Sequence, residues 1–287
     1  MKRIRVLVAG AAGRMGREVV RAVCGEEDME LVGAVDVTHV GKDARAVAGV
    51  EAEAKDGVPS APLRAGLRSA QDDKTAGARV LITSSLDDGI AKCSPEVMVD
   101  FTVPSVVKAN VATCLKAKVA CVVGATGLTP ADLEEIAALC KEHSTPALVA
   151  PNFAIGAVLM MQFAAQAARH FDAAEIIELH HPEKVDAPSG TALRTARLMA
   201  NAEGSKLAGA SQDSRPARGR GEGAIRVHSV RLPGLVAHQE VIFGGLGQTL
   251  TIRHDSTSRE SFMPGVLLAI RKVRSLSGLV VGLEGVM

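Results

Sequence analysis

Three glycines at the end of a predicted buried strand constrain the fold of this chain more than any other feature. Residues 4–9 form the mainly apolar run IRVLVA, and Gly10, Gly13 and Gly16 stand where that strand passes into a helix with apolar residues on one side. At such a junction the first glycine permits a tight turn, the second lets backbone amides approach a pyrophosphate, and the third lets the helix pack closely on the strand. The free amides of the helix N-terminus favour an anion. The junction predicts a dinucleotide site.

An acidic residue at the end of the second predicted strand supports this interpretation over a purely structural turn. Asp36 lies twenty residues beyond Gly16, where a carboxylate would accept hydrogen bonds from the adenosine ribose. A carboxylate there repels a 2′-phosphate, and Val37 offers no guanidinium to bind one. We therefore expect NADH as the preferred cofactor, while Arg14 and Lys42 leave NADPH possible.

Short apolar runs alternate with helical patterns through the first 150 residues. Strands are predicted at 4–9, 30–36, 79–83, 97–101, 119–123 and 147–150, and helices at 13–24, near Ala44, at 104–117 and at 129–142. Thr129, Pro130 and Asp132 form a capping box with proline at the first helical position. Alternation of this kind requires crossover connections, so it predicts an α/β fold with a Rossmann-like, doubly wound parallel sheet.

The pattern changes after residue 150. Helices are predicted at 155–170, 192–202 and 259–274, and strands at 175–181, 224–232, 238–243 and 249–254. Strands that follow one another without helices between them indicate antiparallel pairing, and imperfect alternation in 224–232 suggests a bulge. Residues 205–223 are rich in Gly, Ser and Arg and predict a mobile loop. The second half therefore predicts a smaller α/β domain with a mixed, largely antiparallel sheet.

Charge and aromatic content argue against nucleic-acid and membrane partners. Lysine plus arginine number 33 against 32 acidic residues, for a net charge of +1, and the aromatic residues are six Phe with no Trp or Tyr. Such a chain lacks the basic excess and the stacking side chains of a nucleic-acid surface. The uncharged run 144–168 is long enough to span a bilayer, but Pro146 and Pro151 interrupt it, which predicts a buried strand, a turn and a buried helix.

The cysteines indicate a reducing compartment. They are few, odd in number and scattered without the spacing of metal ligands, at Cys24, Cys93, Cys114, Cys121 and Cys140. We therefore expect buried thiols, no disulfide framework, no metal and a cytoplasmic location.

Residues 175–192, EIIELHHPEKVDAPSGTA, concentrate polar groups in one short segment. His180 and His181 end a predicted strand, Lys184 lies beyond a proline, and residues 189–191 are expected to open a helix. A lone histidine or lysine is usually structural, but a cation beside a helix N-terminus is suited to a dicarboxylate. The cluster predicts a substrate site for a small dianion.

The same segment resembles the signature E-[I/V]-x-E-x-H-x-x-x-K-x-D-x-P-S-G-T-A of the 4-hydroxy-tetrahydrodipicolinate reductase family. The resemblance continues through VAGAAGRMGRE, VMVDFTVPS, VVGATGLT, APNFAIGAV and TIRHDSTSRE, so it covers nearly the whole chain except residues 37–86. It implies NAD(P)H-dependent reduction in the diaminopimelate route to lysine. It also implies a Rossmann domain at 1–150 completed by 259–287, a substrate-binding and oligomerisation domain at 151–258, and a homotetramer.

The resemblance also implies site roles, carried over position by position. His180 matches the general acid and Lys184 a second catalytic group that helps to hold the substrate. The substrate-binding positions are His181, Ser189, Gly190 and Thr191. The cofactor-binding positions are Gly10, Ala11, Ala12, Gly13, Arg14, Met15, Asp36, Phe101, Thr102, Gly124, Ala125, Thr126, Ala150, Pro151, Asn152 and Phe153.

Three departures from the family pattern leave these roles in place. Ala125 lacks a hydroxyl that many members carry, Glu183 stands where a second histidine is common, and Val103 replaces a basic residue of some members. We expect altered affinity rather than lost activity. Two alternatives stay open at this point: another two-domain dehydrogenase, such as a relative of aspartate-semialdehyde or homoserine dehydrogenase, and a dinucleotide-sensing regulator without catalysis.

Overall fold

A computed structural model describes residues 2–50, 79–207 and 215–287, which contain two β-sheets flanked by helices. The strands are β1 (Ile4–Ala9), β2 (Met29–Val35), β3 (Ile82–Thr83), β4 (Val97–Asp100), β5 (Ala120–Val123), β6 (Ala147–Val149), β7 (Ala173–His180), β8 (Arg220–Glu222), β9 (Ile225–Arg231), β10 (Ala237–Gly245), β11 (Gln248–Ser256) and β12 (Leu279–Val281). The α-helices are α1 (Arg14–Cys24), α2 (Ala44–Ala48), α3 (Leu86–Cys93), α4 (Pro104–Lys116), α5 (Pro130–His143), α6 (Ile155–Ala167), α7 (Gly190–Ala200) and α8 (Met263–Val273).

The first sheet has the strand order β12-β6-β5-β4-β1-β2-β3, and every neighbouring pair is parallel. Because side chains alternate across a strand, Val6 and Val8 of β1 pack into one core with α1 and α8, while Leu7 and Ala9 pack into a second core with α4 and α5. Helices on both faces explain why the strands are apolar throughout. The predicted doubly wound parallel sheet is confirmed.

Local signals in the sequence set several of these elements. The hydroxyl of Thr129 accepts from the Asp132 amide at 3.2 Å, and the Asp132 carboxylate accepts from the Thr129 amide at 2.9 Å. Pro130 occupies the first turn. This is the predicted capping box, and an N-cap of this kind contributes about 1 kcal/mol. The predicted short helix near Ala44 is also present as α2.

The second sheet has the order β11-β10-β7-β9-β8. The pairs β11/β10, β10/β7 and β9/β8 are antiparallel, but β7 and β9 are parallel. One face carries Ile176, Val241 and Phe243, which pack with α6 and α7 residues such as Met160 and Met199 in a common core. The sheet is therefore mixed and largely antiparallel, and its buried face positions the polar residues of the site.

The structure corrects three expectations about the second half. The pairing of β7 with β9 runs without a register shift, so the suggested bulge is absent between these two described strands. Strands β9 and β10 are consecutive in the chain but do not pair with each other, because β7 lies between them in the sheet. The predicted mobile loop 205–223 contains a 3₁₀ turn at Pro216–Arg218 and strand β8, while residues 208–214 lie outside the described residues.

The last strand returns to the first sheet. β12 pairs in parallel with β6, and α8 packs in the same core as α1. The uncharged run 144–168 forms β6, a turn and α6, as predicted. Among the described helices, none combines the length and apolarity that crossing a bilayer requires.

Candidate active site

The glycine loop lies between β1 and α1 in the geometry that its sequence predicts. Gly10 has φ of 77°, and a Cβ there would lie 2.9 Å from the Phe101 carbonyl oxygen. A Cβ on Gly16 would lie only 1.9 Å from the Gly10 carbonyl oxygen. Gly13 is the N-cap of α1, and within the described residues no side chain caps this helix and no acid lies in its first turn. Its first amides therefore suit an anion.

Asp36 supports the same loop from the end of β2. Its Oδ2 accepts from the Ala12 amide at 2.9 Å, and its Oδ1 accepts from the amide and the hydroxyl of Thr38, both at 2.8 Å. A carboxylate offers about four acceptor positions, so one remains for a ribose hydroxyl. The loop, the free helix amides and this carboxylate together fit a dinucleotide.

The loops that follow β4, β5 and β6 meet at the same edge of the sheet. A Cβ on Gly124 would lie 2.2 Å from the Phe101 ring, and the ring centroids of Phe101 and Phe153 are 5.8 Å apart. Such convergence at the carboxyl ends of strands is where open α/β sheets bind ligands. Of the other predicted cofactor positions, the buried ones are Ala11, Ala12, Ala125 and Ala150, and the exposed ones are Arg14, Thr126 and Pro151.

Asp100 was not among the predicted site residues, yet its side chain organises this edge of the sheet. It is fully buried at the end of β4, and its Oδ1 accepts from the Thr102 amide at 2.8 Å while Oδ2 accepts from the Asn110 side chain at 2.9 Å. Burial raises the pKa of this carboxyl and outweighs the opposing hydrogen bonds. The sequence signal that could have identified Asp100 is the position of an acidic residue at the end of an apolar strand.

Asn152 joins the predicted cofactor loops to the predicted substrate cluster. Its Oδ1 accepts from the Ala154 amide at 2.9 Å, and its Nδ2 donates to the Thr191 hydroxyl at 3.3 Å. A cleft begins at this contact between α6, α7 and the second sheet. Its polar lining includes Asn152, His180, Ser189, Thr191, Gln239 and His254.

Two of those lining residues were not predicted. Gln239 is 5% exposed, and its Nε2 donates to the Thr195 hydroxyl at 2.7 Å, which in turn donates to the Thr191 carbonyl at 2.8 Å. Gln239 therefore braces the first turn of α7. Burial lowers the pKa of His254 and outweighs the nearby Asp255, so the imidazole is neutral around pH 7.

His180 ends β7 with a fixed ring orientation. Its Nδ1 lies 2.5 Å from Oε2 of Glu178, a side chain with no exposed surface. This bond leaves Nε2 as the ring nitrogen for the cleft. The strand stops at His180, so His181 belongs to the following loop, where its carbonyl accepts from the Lys184 amide at 3.2 Å.

Glu178 also contacts Arg231, which the sequence analysis missed. Arg231 Nη1 and Nη2 donate to the two carboxylate oxygens at 2.9 and 2.8 Å. Burial alone would raise the pKa of Glu178, but hydrogen bonds with His180, Arg231 and Ser229 outweigh it and lower the pKa to about 2. The carboxylate is therefore ionised at neutral pH.

Ser189 begins α7 as predicted. Its hydroxyl accepts from the Ala192 amide at 3.2 Å, and its own amide donates to Oε1 of Glu178 at 3.2 Å. Lys184 lies on the preceding loop rather than in the polar lining of the cleft, and its Nζ donates to Asp186 at 2.7 Å. Burial raises the pKa of Asp186, but hydrogen bonds from Lys184 and the Gly190 amide lower it overall.

Metal ligation has no support in the part of the chain that the structure describes. No group of three or more His, Cys, Asp or Glu side chains there is arranged to hold an ion. The five cysteines are free thiols, and Cys114, Cys121 and Cys140 are buried.

Comparison with known proteins decides the family. The model for the N-terminus of dihydrodipicolinate reductase matches residues 4–153, and the model for its C-terminus matches residues 156–287. The chain belongs to the dihydrodipicolinate reductase family. It is thus an NAD(P)H-dependent oxidoreductase, and the predicted membership of the reductase family is confirmed.

Individual relatives cover the same full length. The chain is 49% identical to the 4-hydroxy-tetrahydrodipicolinate reductase of Moorella thermoacetica, over 99% of this chain and 98% of that one. Identity to the Desulfitobacterium hafniense reductase is 46%, with the same coverage. A dipicolinate-bound dihydrodipicolinate reductase from Paenisporosarcina sp. TG-14 superposes with a TM-score of 0.78 at 39% identity, over 99% of this chain and 100% of that one.

Two of the three departures from the dihydrodipicolinate reductase pattern lie on the protein surface. Val103 is 56% exposed as the N-cap of α4, and Glu183 is exposed on the loop that follows His181. Ala125 is buried beside Asp100, whose carbonyl accepts from the Ala125 amide at 3.1 Å.

Proposed function

We propose that this chain reduces 4-hydroxy-tetrahydrodipicolinate to tetrahydrodipicolinate with NAD(P)H, in the diaminopimelate route to lysine. The observation that carries the proposal is the contact between Asn152 and Thr191 beside His180 in one cleft. This contact joins the edge of the first sheet that fits a dinucleotide to His180 and the N-terminus of α7 in the second half. The names of the relatives supply the substrate.

His180 is suited to serve as the proton donor. Loss of the substrate's 4-hydroxyl as water gives a conjugated cyclic imine. A bound nicotinamide would supply a hydride to this ring, which would leave excess electron density that a proton must quench. Glu178 accepts the Nδ1 hydrogen of His180, so a protonated imidazole presents its second hydrogen at Nε2 to the cleft. From that position a protonated imidazole can pass the proton to the substrate as a general acid.

The substrate's two carboxylates need cationic and amide donors. We assign this task to Lys184, to His181 and to the start of α7, namely Ser189, Gly190 and Thr191. The free amides and partial positive charge of a helix N-terminus favour an anion. The ammonium group of Lys184 adds a full positive charge, which also assists the reaction by offsetting negative charge on the substrate.

We propose NADH as the preferred cofactor. Support comes from Asp36, whose carboxylate lies against the Ala12 amide in the glycine loop, where a 2′-phosphate would meet a like charge. Val37 beside it is 87% exposed and offers no positive charge. Arg14 and Lys42 are also exposed, so NADPH remains a usable second cofactor.

The two halves take separate tasks in this proposal. We assign dinucleotide binding to residues 1–150 completed by 259–287, and substrate binding and oligomerisation to 151–258. A homotetramer is supported by the second face of the smaller sheet, where Ile177, Leu179 and Ile242 point away from α6 and α7. The free thiols support a cytoplasmic location.

The test is NADH oxidation with freshly prepared 4-hydroxy-tetrahydrodipicolinate. We expect turnover by the wild type and a loss of kcat on the order of 10²–10⁴-fold in His180→Ala, the usual contribution of a general acid, with unchanged NADH affinity. His170→Ala, an exposed histidine outside the cleft, is the matched control. NADH binding without any turnover in the wild type would instead indicate a dinucleotide-sensing regulator. Loss of NADH affinity alone in His180→Ala would refute the role of His180 as proton donor.

A further inference from the structure

A largely buried ion pair, of which only the Arg231 side chain is partly exposed (19%), lies next to the proposed proton donor. Glu178 on β7 has no exposed surface, and Arg231 at the end of β9 holds both of its carboxylate oxygens. The two residues are 53 positions apart in the chain and are brought together by the parallel pairing of β7 with β9. We propose that the Glu178–Arg231 pair is the positioning element of the active site, which fixes the proton donor and the substrate-anion site relative to each other.

The contacts of Glu178 connect two functional groups through one carboxylate. Oε2 accepts from His180 Nδ1 at 2.5 Å, and Oε1 accepts from the Ser189 amide at 3.2 Å. The first contact sets the tautomer and the ring orientation of the histidine. The second holds the residue that caps α7. One rigid group thus spans the proton donor and the start of the helix proposed to bind a substrate carboxylate.

Arg231 extends this connection to the loop of Lys184. Beyond the carboxylate, its Nη2 donates to the Asp186 carbonyl at 2.7 Å and its Nη1 donates to the Val230 carbonyl at 2.8 Å. The guanidinium therefore fixes the backbone two residues after Lys184. A planar fork with several donors is required for these simultaneous bonds, which a lysine at the same position would not provide.

Stability alone is a poor explanation for such a pair. Removing two charges from water costs about as much as their attraction returns, and apolar replacements of buried pairs are often neutral or stabilising. Placement of reacting groups is a different matter, because a shift on the order of 1 Å can cost about 10²-fold in rate. His180, the start of α7 and the loop of Lys184 all contact this pair, so we infer that its role is to hold these three parts in fixed relative positions.

This inference rests on the proposed function and is tested by a double-mutant cycle. The pair is replaced as a unit by Glu178→Gln with Arg231→Met, which leaves no unpaired buried charge. We expect kcat to fall about 10- to 100-fold and KM for the substrate to rise, while NADH affinity and the folded state are retained. In the His180→Ala background the same replacement should lower kcat by a smaller factor than in the wild type, because the part of its effect that acts through His180 is already lost.

A surface ion pair on the same sheet is the matched control. Arg253 and Glu240 lie 2.9 Å apart on β11 and β10, and Glu240→Gln with Arg253→Met should leave kcat and KM unchanged. Equal losses of kcat with and without His180 would overturn the inference, as would wild-type kinetics in the pair variant. Loss of folding in the pair variant alone would assign the pair to stability and overturn it too. Absence of turnover in the wild type would instead refute the proposed function.

Discussion

Lys184 donates its ammonium hydrogen to the carboxylate of Asp186 across 2.7 Å, and the Gly190 amide donates to the same carboxylate. These are two of the donors that we assign to a carboxylate of the substrate. We infer that Asp186 occupies the position of that anion, and we expect the substrate to replace it on binding. The side chain of Asp186 is 57% exposed, so it has room to turn into solvent.

Neutralising Asp186 should strengthen substrate binding. In Asp186→Asn the competing charge is gone, and we expect KM to fall by up to about fivefold, as an exposed ion pair is worth ~0.2–1 kcal/mol. Lys184→Ala should raise KM and lower kcat. Steady-state kinetics at fixed NADH measure both variants. A higher KM in Asp186→Asn would show that Asp186 orients Lys184 for the substrate instead.

Acid should destabilise the protein through Glu178. Its pKa falls from an ordinary value of 4.5 to about 2 in the folded state, so its ionised form favours folding. That stability is fully present above about pH 4.5 and is lost as the pH falls towards 2. Urea unfolding at several pH values in this window should show a shallower decline in the Glu178→Gln, Arg231→Met variant. Identical slopes in variant and wild type would contradict the assignment.

Gly16 should not tolerate a side chain. A methyl group there would lie 1.9 Å from the Gly10 carbonyl oxygen, so Gly16→Ala must displace the glycine loop or α1. Overpacking of this kind costs about 1–3 kcal/mol. We expect a lower Tm and at least tenfold weaker NADH binding by fluorescence titration. Gly244→Ala on β10, where nothing lies within 4 Å of the added Cβ, is the control and should retain both.

Removing the charge of Asp36 should shift cofactor use towards NADPH. Asp36→Asn keeps an acceptor oxygen for the Ala12 amide and removes the repulsion of a 2′-phosphate. We expect the ratio of kcat/KM for NADPH to that for NADH to rise on the order of tenfold, which corresponds to about 1.4 kcal/mol. Asp88→Asn on α3 should leave the ratio unchanged. An unaltered ratio in Asp36→Asn would show that other groups select the cofactor.

The parts of the fold that local chemistry specifies were predictable. Strand β1, the glycine junction and the Thr129 capping box each carry their signal within a few residues, and all three were confirmed. Helix α3 was missed because it is short and contains Gly89, although Ser85 caps it by accepting from the Asp88 amide at 3.2 Å. The parallel pairing of β7 with β9 depends on distant residues and has no local signal.

The candidate site shows the same division. The cluster that holds His180 and Lys184 is contiguous, so its sequence indicated a function directly. The sequence showed Glu178 only as one position of the family signature. Its complete burial and its ion pair with Arg231, which lies 53 residues away in the chain, depend on the folded structure. Gln239 likewise contacts Thr195 only because the second sheet packs on α7.

The position of β12 has a consequence for biosynthesis on the ribosome. Translation makes β6 long before β12, its parallel neighbour at the edge of the first sheet, and residues 151–258 are made in between. Until β12 emerges, β6 presents unpaired amides and carbonyls, and exposed edges of this kind invite pairing with other chains. The nascent enzyme therefore depends on β12 to cover the edge of a sheet that β1 began.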